Sequence, residues 1–494
     1  MKRLILVPVL AAALLALLAA PALAGPKTFY VSPSGGNDTA AIQAAFKAAV
    51  KAGPGSIVQL TAGHFYTNTI LVKGFNGTFK GAGEGQTVID TPRALDPGAR
   101  AINDPSFATT AFEPFAYLFG FNGGNVSVSD MSVDITADAP ADPWTAHEEI
   151  GATNIQDIFL ITGSANSAFD QVGFTAATSD DPNTGYNVGC DIAIQGNIVW
   201  DENPADEADG LYGNPLHVGP TAGSDRVTRC SFSGFIGVEA IGLTRGNLVV
   251  GGAAALGNAF NDYWAGCFFL DNSNSDFLVS HNQIAASGAH CVWCIQGWVA
   301  NDSDLPNQLP PLPAPRFQIS DNLIQTSGTA SGVNLWDFTR LFESACRLDA
   351  SITGNRFVLG TGPDTYGDGI GEFATQNIPC LDNSFSGSVQ YGIYIGDDFN
   401  WYDNNNVLPV SGWQIIGNDL RQLSASVAPI DLGQGTNHCL VICPTTTGVL
   451  NLGVHNTLVN VTLLPGSNPS QAAARMAPSQ RVTPPGQAMR RHAI

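Results

Sequence analysis

Lysine is scarce in this 494-residue chain: the six residues at positions 2, 27, 47, 51, 73 and 80 are all there are. No lysine can therefore act as a base anywhere in the middle or the C-terminal part. Charge of any sign is thin, at 13%, and positive charge thinner still, with 21 basic residues against 42 acidic and a net charge of −21. That deficit excludes a nucleic acid partner, which would be met by a basic face. Convincing helical periodicity is missing from the middle of the chain, so a helical repeat is excluded there. Nine cysteines cannot all pair. Cys291 with Cys294 and Cys439 with Cys443 lie too far apart in sequence to read as one zinc centre, so one to three disulfides or buried thiols are expected. Cys346 and Cys380 are placed to staple neighbouring repeats.

What the chain does have is a returning phrase: SHNQI, SDNLI, TGNRF, LDNSF and IGNDL. Its asparagines, Asn282, Asn322, Asn355, Asn383 and Asn418, recur at intervals of 40, 33, 28 and 35 residues. Each is followed two residues later by an apolar side chain. Between phrases run period-two segments such as Gly332-Val333-Asn334-Leu335 and Gly392-Ile393-Tyr394-Ile395. The pattern predicts an all-β fold, a single right-handed parallel β-helix, with each asparagine at an equivalent turn because it tolerates left-handed φ and stacks its amide on the next. A solenoid grows in one direction, so a single domain can absorb this length.

Residues 1–24 have the layout of a secretory signal: Lys2 and Arg3, an apolar run through Ala20, then Ala22-Leu23-Ala24. The expectation is a secreted protein, periplasmic or extracellular, with no membrane span after cleavage and a β-helix domain over 25–464. Residues 465–494, rich in Pro, Ala, Gln and Arg, read as a disordered basic tail. Insertions at 136–155 and 176–220 should emerge at corners of the coil. The acids Asp201, Glu202, Asp206, Glu207 and Asp209 read as a solvated loop, with calcium as the alternative. The proline run 306–315 reads as a stiff excursion.

From Gly36 the chain reads GNDTAAIQAAFKAAVKAGPGSIVQLTAGHFYT. Asp38 or Thr39 can cap a helix with Ile42, Ala45, Phe46 and Val50 on its apolar face, stopped at Gly53-Pro54-Gly55 before a strand at 57–60. This opening resembles that of the pectin-lyase-like superfamily, in which a short helix closes the N-terminal end of a β-helix. The resemblance implies a polysaccharide as substrate or ligand.

Aligning coils on the glycine before the second strand, five residues on from Gly266, Gly332 and Gly392 stand Asp271, Asp337 and Asp397; the coil entered at Gly369 offers Glu372, and Gly288 leads to Trp293. Successive carboxylates would rise in steps of ~4.8 Å, within reach of glycosidase geometry. Asp337, Glu372, Asp397 and Asp398 are thus the candidate catalytic residues, with Asp364 and Asp368 nearby. Trp336, Tyr394, Asn334 and Phe268 are candidates for holding a sugar. The opposing reading is turn chemistry, since aspartate commonly follows strands.

Of the motifs that the resemblance implies for hydrolases, only Asp397-Asp398 is present, and His290 lies in Gly-Ala-His-Cys rather than Gly-His-Gly. A lyase would need an arginine base and calcium, and so acidic a chain repels a uronate polymer. The expectation is a glycan hydrolase needing no cofactor, acting on a neutral polysaccharide, with a lyase or a non-catalytic carbohydrate-binding solenoid as alternatives.

Overall fold

The structure is a computed structural model that describes residues 26–90, 117–135, 157–162, 166–175, 190–195, 198–201, 214–217, 222–233, 236–241, 245–262, 265–271, 276–286, 293–299, 316–326, 331–337, 348–360, 368–373, 375–396 and 410–467. The signal-like segment, the proline run, the basic tail beyond 467, Cys346, Asp397 and Asp398 lie outside them.

Strands of the large sheet pair in parallel with their counterparts one turn earlier and one turn later, which makes the chain a parallel β-helix; only Ile198–Asp201 and Asn214–His217, among the described strands, stand apart as an antiparallel pair. The recurring phrase explains the stacking. The apolar residue two after each asparagine points inward and sits level with its counterparts, so that Phe260, Ile284, Ile324, Phe357 and Phe385 form one row, which Phe232, two after Cys230, continues. Where the row is aromatic the rings lie flat on one another: Phe232 and Phe260 have centroids 4.4 Å apart, Phe357 and Phe385 4.6 Å. Each is buried from water, and burying side chains of this size is the main stabilising term, about 1.5–3 kcal/mol apiece.

The asparagines form a continuous ladder, one residue longer than the phrase foretold. Nδ2 of Asn258, Asn282, Asn322, Asn355 and Asn383 donates to Oδ1 of the next, at 2.9, 3.1, 3.0, 3.0 and 2.9 Å, ending on Asn418. A second Nδ2 proton reaches a carbonyl of the preceding coil, and the ladder side chains are buried. The conformational reason differs from the expected one. Left-handed φ belongs to the residue before each asparagine: His281 (60°), Asp321 (56°), Gly354 (66°), Asp382 (55°) and Gly417 (74°). That residue turns the corner, and the turn aims the asparagine inward to bond along the axis.

The helix at the N-terminal end spans Thr39–Ala52 and buries Ile42, Ala45, Phe46 and Ala49. Val50 is exposed, because the i, i+3, i+4, i+7 face runs through Ala49 instead. Phe46 plugs the first coils, its ring 5.2 Å from Phe75 and 5.0 Å from Phe79. Asp38 does not cap the helix with its side chain. Its carboxylate accepts from Ser34 N (2.8 Å) and Tyr66 N (3.1 Å), tying the helix entry to the first coil. The strand that follows is Ser56–Leu60.

Among the described residues the cysteines form no disulfide. Cys230, Cys267, Cys294, Cys380, Cys439 and Cys443 are buried thiols. Cys380 is enclosed by the ladder, 3.5 Å from Asn383 Nδ2, and burial pushes its thiol up to about 12.

Candidate functional site

Three strands, Ser331–Asp337, Asp368–Phe373 and Ser384–Gly396, lie side by side, and the last pairs with Asp419–Leu432. Val333, Ile370, Ile393 and Ile430 stand level and are buried, as are Leu335, Ile395 and Leu432 one step on. Alternation turns the residue between each pair outward. By backbone register the level between them runs Glu239, Phe268, Gln296, Asn334, Gly371, Tyr394 and Asp431 from coil to coil. Phe268, Asn334 and Tyr394 thus share one line. Trp336 stands two residues further along its strand, level in register with Trp298, Phe373 and Gly396.

The candidate carboxylates are arranged otherwise. Asp337 is level with Val299 and Asp271, at the far edge of the face. Glu372 is level with Leu335 and Ile395, two residues short of that edge, because it stands three residues after its glycine whereas Asp337 stands five after Gly332. Trp293 does not belong to the edge either. It pairs with Ala265 and Ser331, so Cys294, and not Gly288, sets the start of that coil.

Two other carboxylates reach the face. Asp368 opens its strand, level with Tyr391, and its side chain leans along the strand: Oδ2 lies 3.2 Å from the point a Cβ would occupy at Gly371. Asn334 Nδ2 lies 3.2 Å from the same point. Asp431 is 3% exposed despite its outward position, between Tyr394 on one coil and Leu450 on the next. Tyr391 and Tyr394 are neighbours, centroids 5.0 Å apart and tilted by 44°. Tyr394 lies along its strand with Oη over Gly396, 2.7 Å from where a Cβ would stand. Tyr391 also packs on a small outer cluster of Ala428, Leu450 and Leu452.

Asn334 differs from every asparagine of the ladder. It is 9% exposed, and its Oδ1 is buried with no hydrogen-bond partner. An amide oxygen in that state costs about 1–3 kcal/mol.

Sequence reasoning overlooked Asp431 and Gly371, although the signal was present. Pro429-Ile430-Asp431-Leu432 repeats the Gly392-Ile393-Tyr394-Ile395 pattern with a carboxylate at the outward position. Asp368, taken as part of a loop, begins a strand.

Away from this face, Asp225 occupies an inward position level with Leu248 and Ser167. Ser167 donates to its Oδ1 from both backbone N (2.7 Å) and Oγ (2.8 Å), and burial pushes the carboxyl up to about 6. Among the described residues no three histidine, cysteine, aspartate or glutamate side chains converge as a metal ion would need. Asp201 ends the strand Ile198–Asp201, and the other acids of its loop lie outside the described residues.

No protein-family model matches the chain, and no curated protein does. Among solved structures it is similar to the A-module of the Azotobacter vinelandii mannuronan C-5 epimerase AlgE6, with 14% identity, 87% of this chain and 96% of that one covered, and a TM-score of 0.39. It is similar also to PfbA, a surface adhesin of Streptococcus pneumoniae (13%, 82% and 91%, TM-score 0.46). A family 28 exopolygalacturonase of Yersinia enterocolitica is a third (8%, 84% and 78%, TM-score 0.48).

Proposed function

We propose that this is an exported polysaccharide-active protein that holds an extended glycan along the outer face of the strands from Ser331–Asp337 to Asp419–Leu432 and hydrolyses it with a pair of carboxylates. One observation carries the reading. Asp368, leaning over Gly371, and Asp431, two strands further on, flank Tyr394 on a single outward face. Two inter-strand spacings of ~4.8 Å separate Gly371 from Asp431, close to the roughly 6.5–9.5 Å of an inverting pair, which leaves room for a water. In that arrangement one carboxylic acid protonates the leaving oxygen and the other carboxylate activates the water. Tyr391 and Tyr394 supply flat surface for a sugar ring. Asp337, at the edge of the same face, and Asp397 and Asp398 remain candidates for contacts further along the chain of sugars, with Trp336 and Phe268 as stacking surfaces; Glu372 shares its level with the buried Leu335 and Ile395 and is not among them. Export rests on residues 1–24.

A second reading has its own support. Asp431 is enclosed between Tyr394 and an apolar neighbour, Leu450, which suits a binding face without turnover. A polysaccharide panel read for reducing ends and for unsaturated-product absorbance together decides between them. Reducing ends alone support hydrolysis. Absorbance with reducing ends points to elimination and overturns the proposal; saturable binding with neither product leaves the binding face.

A further inference from the structure

Gly371 leaves a small gap between two polar side chains on the outward level of the sheet. A glycine there is not required by the backbone, since its φ lies outside the left-handed region. What it leaves is space. A Cβ would stand 3.2 Å from both Asn334 Nδ2 and Asp368 Oδ2, filling the gap between an amide and a carboxylate. The amide oxygen of Asn334 is the second observation: nine-tenths buried, outward on the face, and unpartnered. Buried polar atoms in folded proteins are nearly always bonded, so this oxygen is satisfied by something that arrives from outside. It needs a donor, and the adjacent carboxylate also accepts.

The charge of the face narrows the donor. Neither the strand Asp368–Phe373 nor its two neighbours, Ser331–Asp337 and Ser384–Gly396, contains a lysine or arginine, while Asp368 leans over the gap itself and Asp431 stands on the same level two strands on. A sugar bearing a carboxylate would meet these acids and no compensating base on the three strands, at a cost that grows with every unit of a uronate polymer. Resting on the glycan reading above, we infer that Gly371, Asn334 and Asp368 form a subsite that reads the hydroxyl of an uncharged sugar. Asn334 Oδ1 accepts one hydroxyl proton, its Nδ2 donates to a neighbouring oxygen, and Asp368 accepts from a second hydroxyl. Asn334 is thereby a specificity residue: a site built to bond a hydroxyl discriminates strongly against a ligand that lacks it.

The test is affinity electrophoresis of the full chain in gels containing soluble neutral glycans (β-glucan, arabinoxylan and galactomannan), polygalacturonate or chitosan. Wild type is run beside Gly371→Ala, Asn334→Leu and Asn334→Ser, with melting temperatures measured for each. The expected result is retardation by a neutral glycan and not by polygalacturonate or chitosan. Gly371→Ala, which adds one methyl to an outward position, should weaken that binding at least tenfold with melting unchanged. Asn334→Leu should weaken it likewise and melt no lower than wild type, because it removes a buried unpartnered oxygen, and Asn334→Ser should recover part of the affinity. Should Asn334→Leu fail to fold, Gly371→Ala alone carries the test. Preference for polygalacturonate or chitosan overturns the uncharged subsite while leaving a glycan-binding face. Neutral binding indifferent to Gly371→Ala overturns the subsite alone. Retardation in none of the gels overturns the proposed function, and the subsite with it.

Discussion

Replacing Asn322 by alanine would cut the amide ladder at its centre, and the consequence follows from four hydrogen bonds. Asn322 Nδ2 donates to Val279 O (2.9 Å) and to Asn355 Oδ1 (3.0 Å), and its Oδ1 accepts from Asn282 N (2.9 Å) and Asn282 Nδ2 (3.1 Å). Two of the partners keep an alternative. Asn282 Nδ2 retains Val250 O at 2.9 Å, and Asn355 Oδ1 retains the backbone N–H of residue 322 at 3.0 Å. The N–H of Asn282 and the carbonyl of Val279 lose the bonds they make to this side chain in a place water does not reach. At about 1–3 kcal/mol for each of the two groups, the expected loss is about 2–6 kcal/mol. The exposed ladder at the other end of the molecule provides the contrast. Asn125 Nδ2 donates to Asn76 Oδ1 (2.9 Å) in solvent, and Asn125→Ala should cost about 0.5 kcal/mol or less. A solenoid can open locally, coil by coil, so the assay is urea unfolding combined with native-state amide exchange on the strands Asp276–Ser280 and Arg316–Ser320 flanking the cut. A loss for Asn322→Ala no larger than for Asn125→Ala would refute the reasoning.

Asp225 predicts a pH dependence. Its carboxyl is raised by burial from 3.8 to about 6, so the folded state holds this proton more tightly than the unfolded chain. The stability it contributes is complete below pH 3.8 and is lost as pH rises to about 6. The full shift corresponds to about 3 kcal/mol at 1.36 kcal/mol per unit. Asp225→Asn should therefore stabilise the protein above pH 6 by up to that amount and change little at pH 3.5; equal effects at both pH values in denaturant titrations would contradict this. The thiols of Cys230 and Cys380, both pushed up to about 12 by burial, should resist iodoacetamide at pH 8 in the native protein and react fully in guanidinium. Mass spectrometry showing Cys380 in a disulfide would count against the enclosed thiol. Gly396→Ala should displace the Tyr394 ring, whose Oη stands 2.7 Å from the added carbon, and alter near-ultraviolet dichroism without lowering the melting temperature much. An unchanged spectrum would show that the ring does not lie over Gly396.

The coil was legible because its period is written in one residue type. Asn282, Asn322, Asn355, Asn383 and Asn418 each had to face inward for their amides to bond, and each was found in the ladder. Asn258 carries the same phrase in Gly257-Asn258-Ala259-Phe260 but stands only 24 residues before Asn282, a shorter interval than any of the others. The outward line of Phe268, Asn334 and Tyr394 was also readable, since strand alternation fixes it once the starting glycine is known. The carboxylate row was harder. Glu372 was counted three residues after its glycine and Asp337 five, and only the register reveals that these are different levels of the sheet. Asp431 was hidden by the proline that precedes Ile430 in place of the usual glycine. The leaning of Asp368 over Gly371 depends on the space a missing side chain leaves, which no spacing rule expresses.

Whether carboxylates of this face do chemistry is measured directly as turnover on the glycan that wild type cleaves most rapidly. Asp368→Asn and Asp431→Asn are assayed per folded molecule, with binding of the same glycan measured alongside. Amide for acid preserves volume and removes the proton to be given or taken, a contribution of roughly a hundred- to ten-thousandfold. The account predicts that each variant binds the glycan and loses turnover by about that factor. Turnover within twofold of wild type in both variants would contradict it.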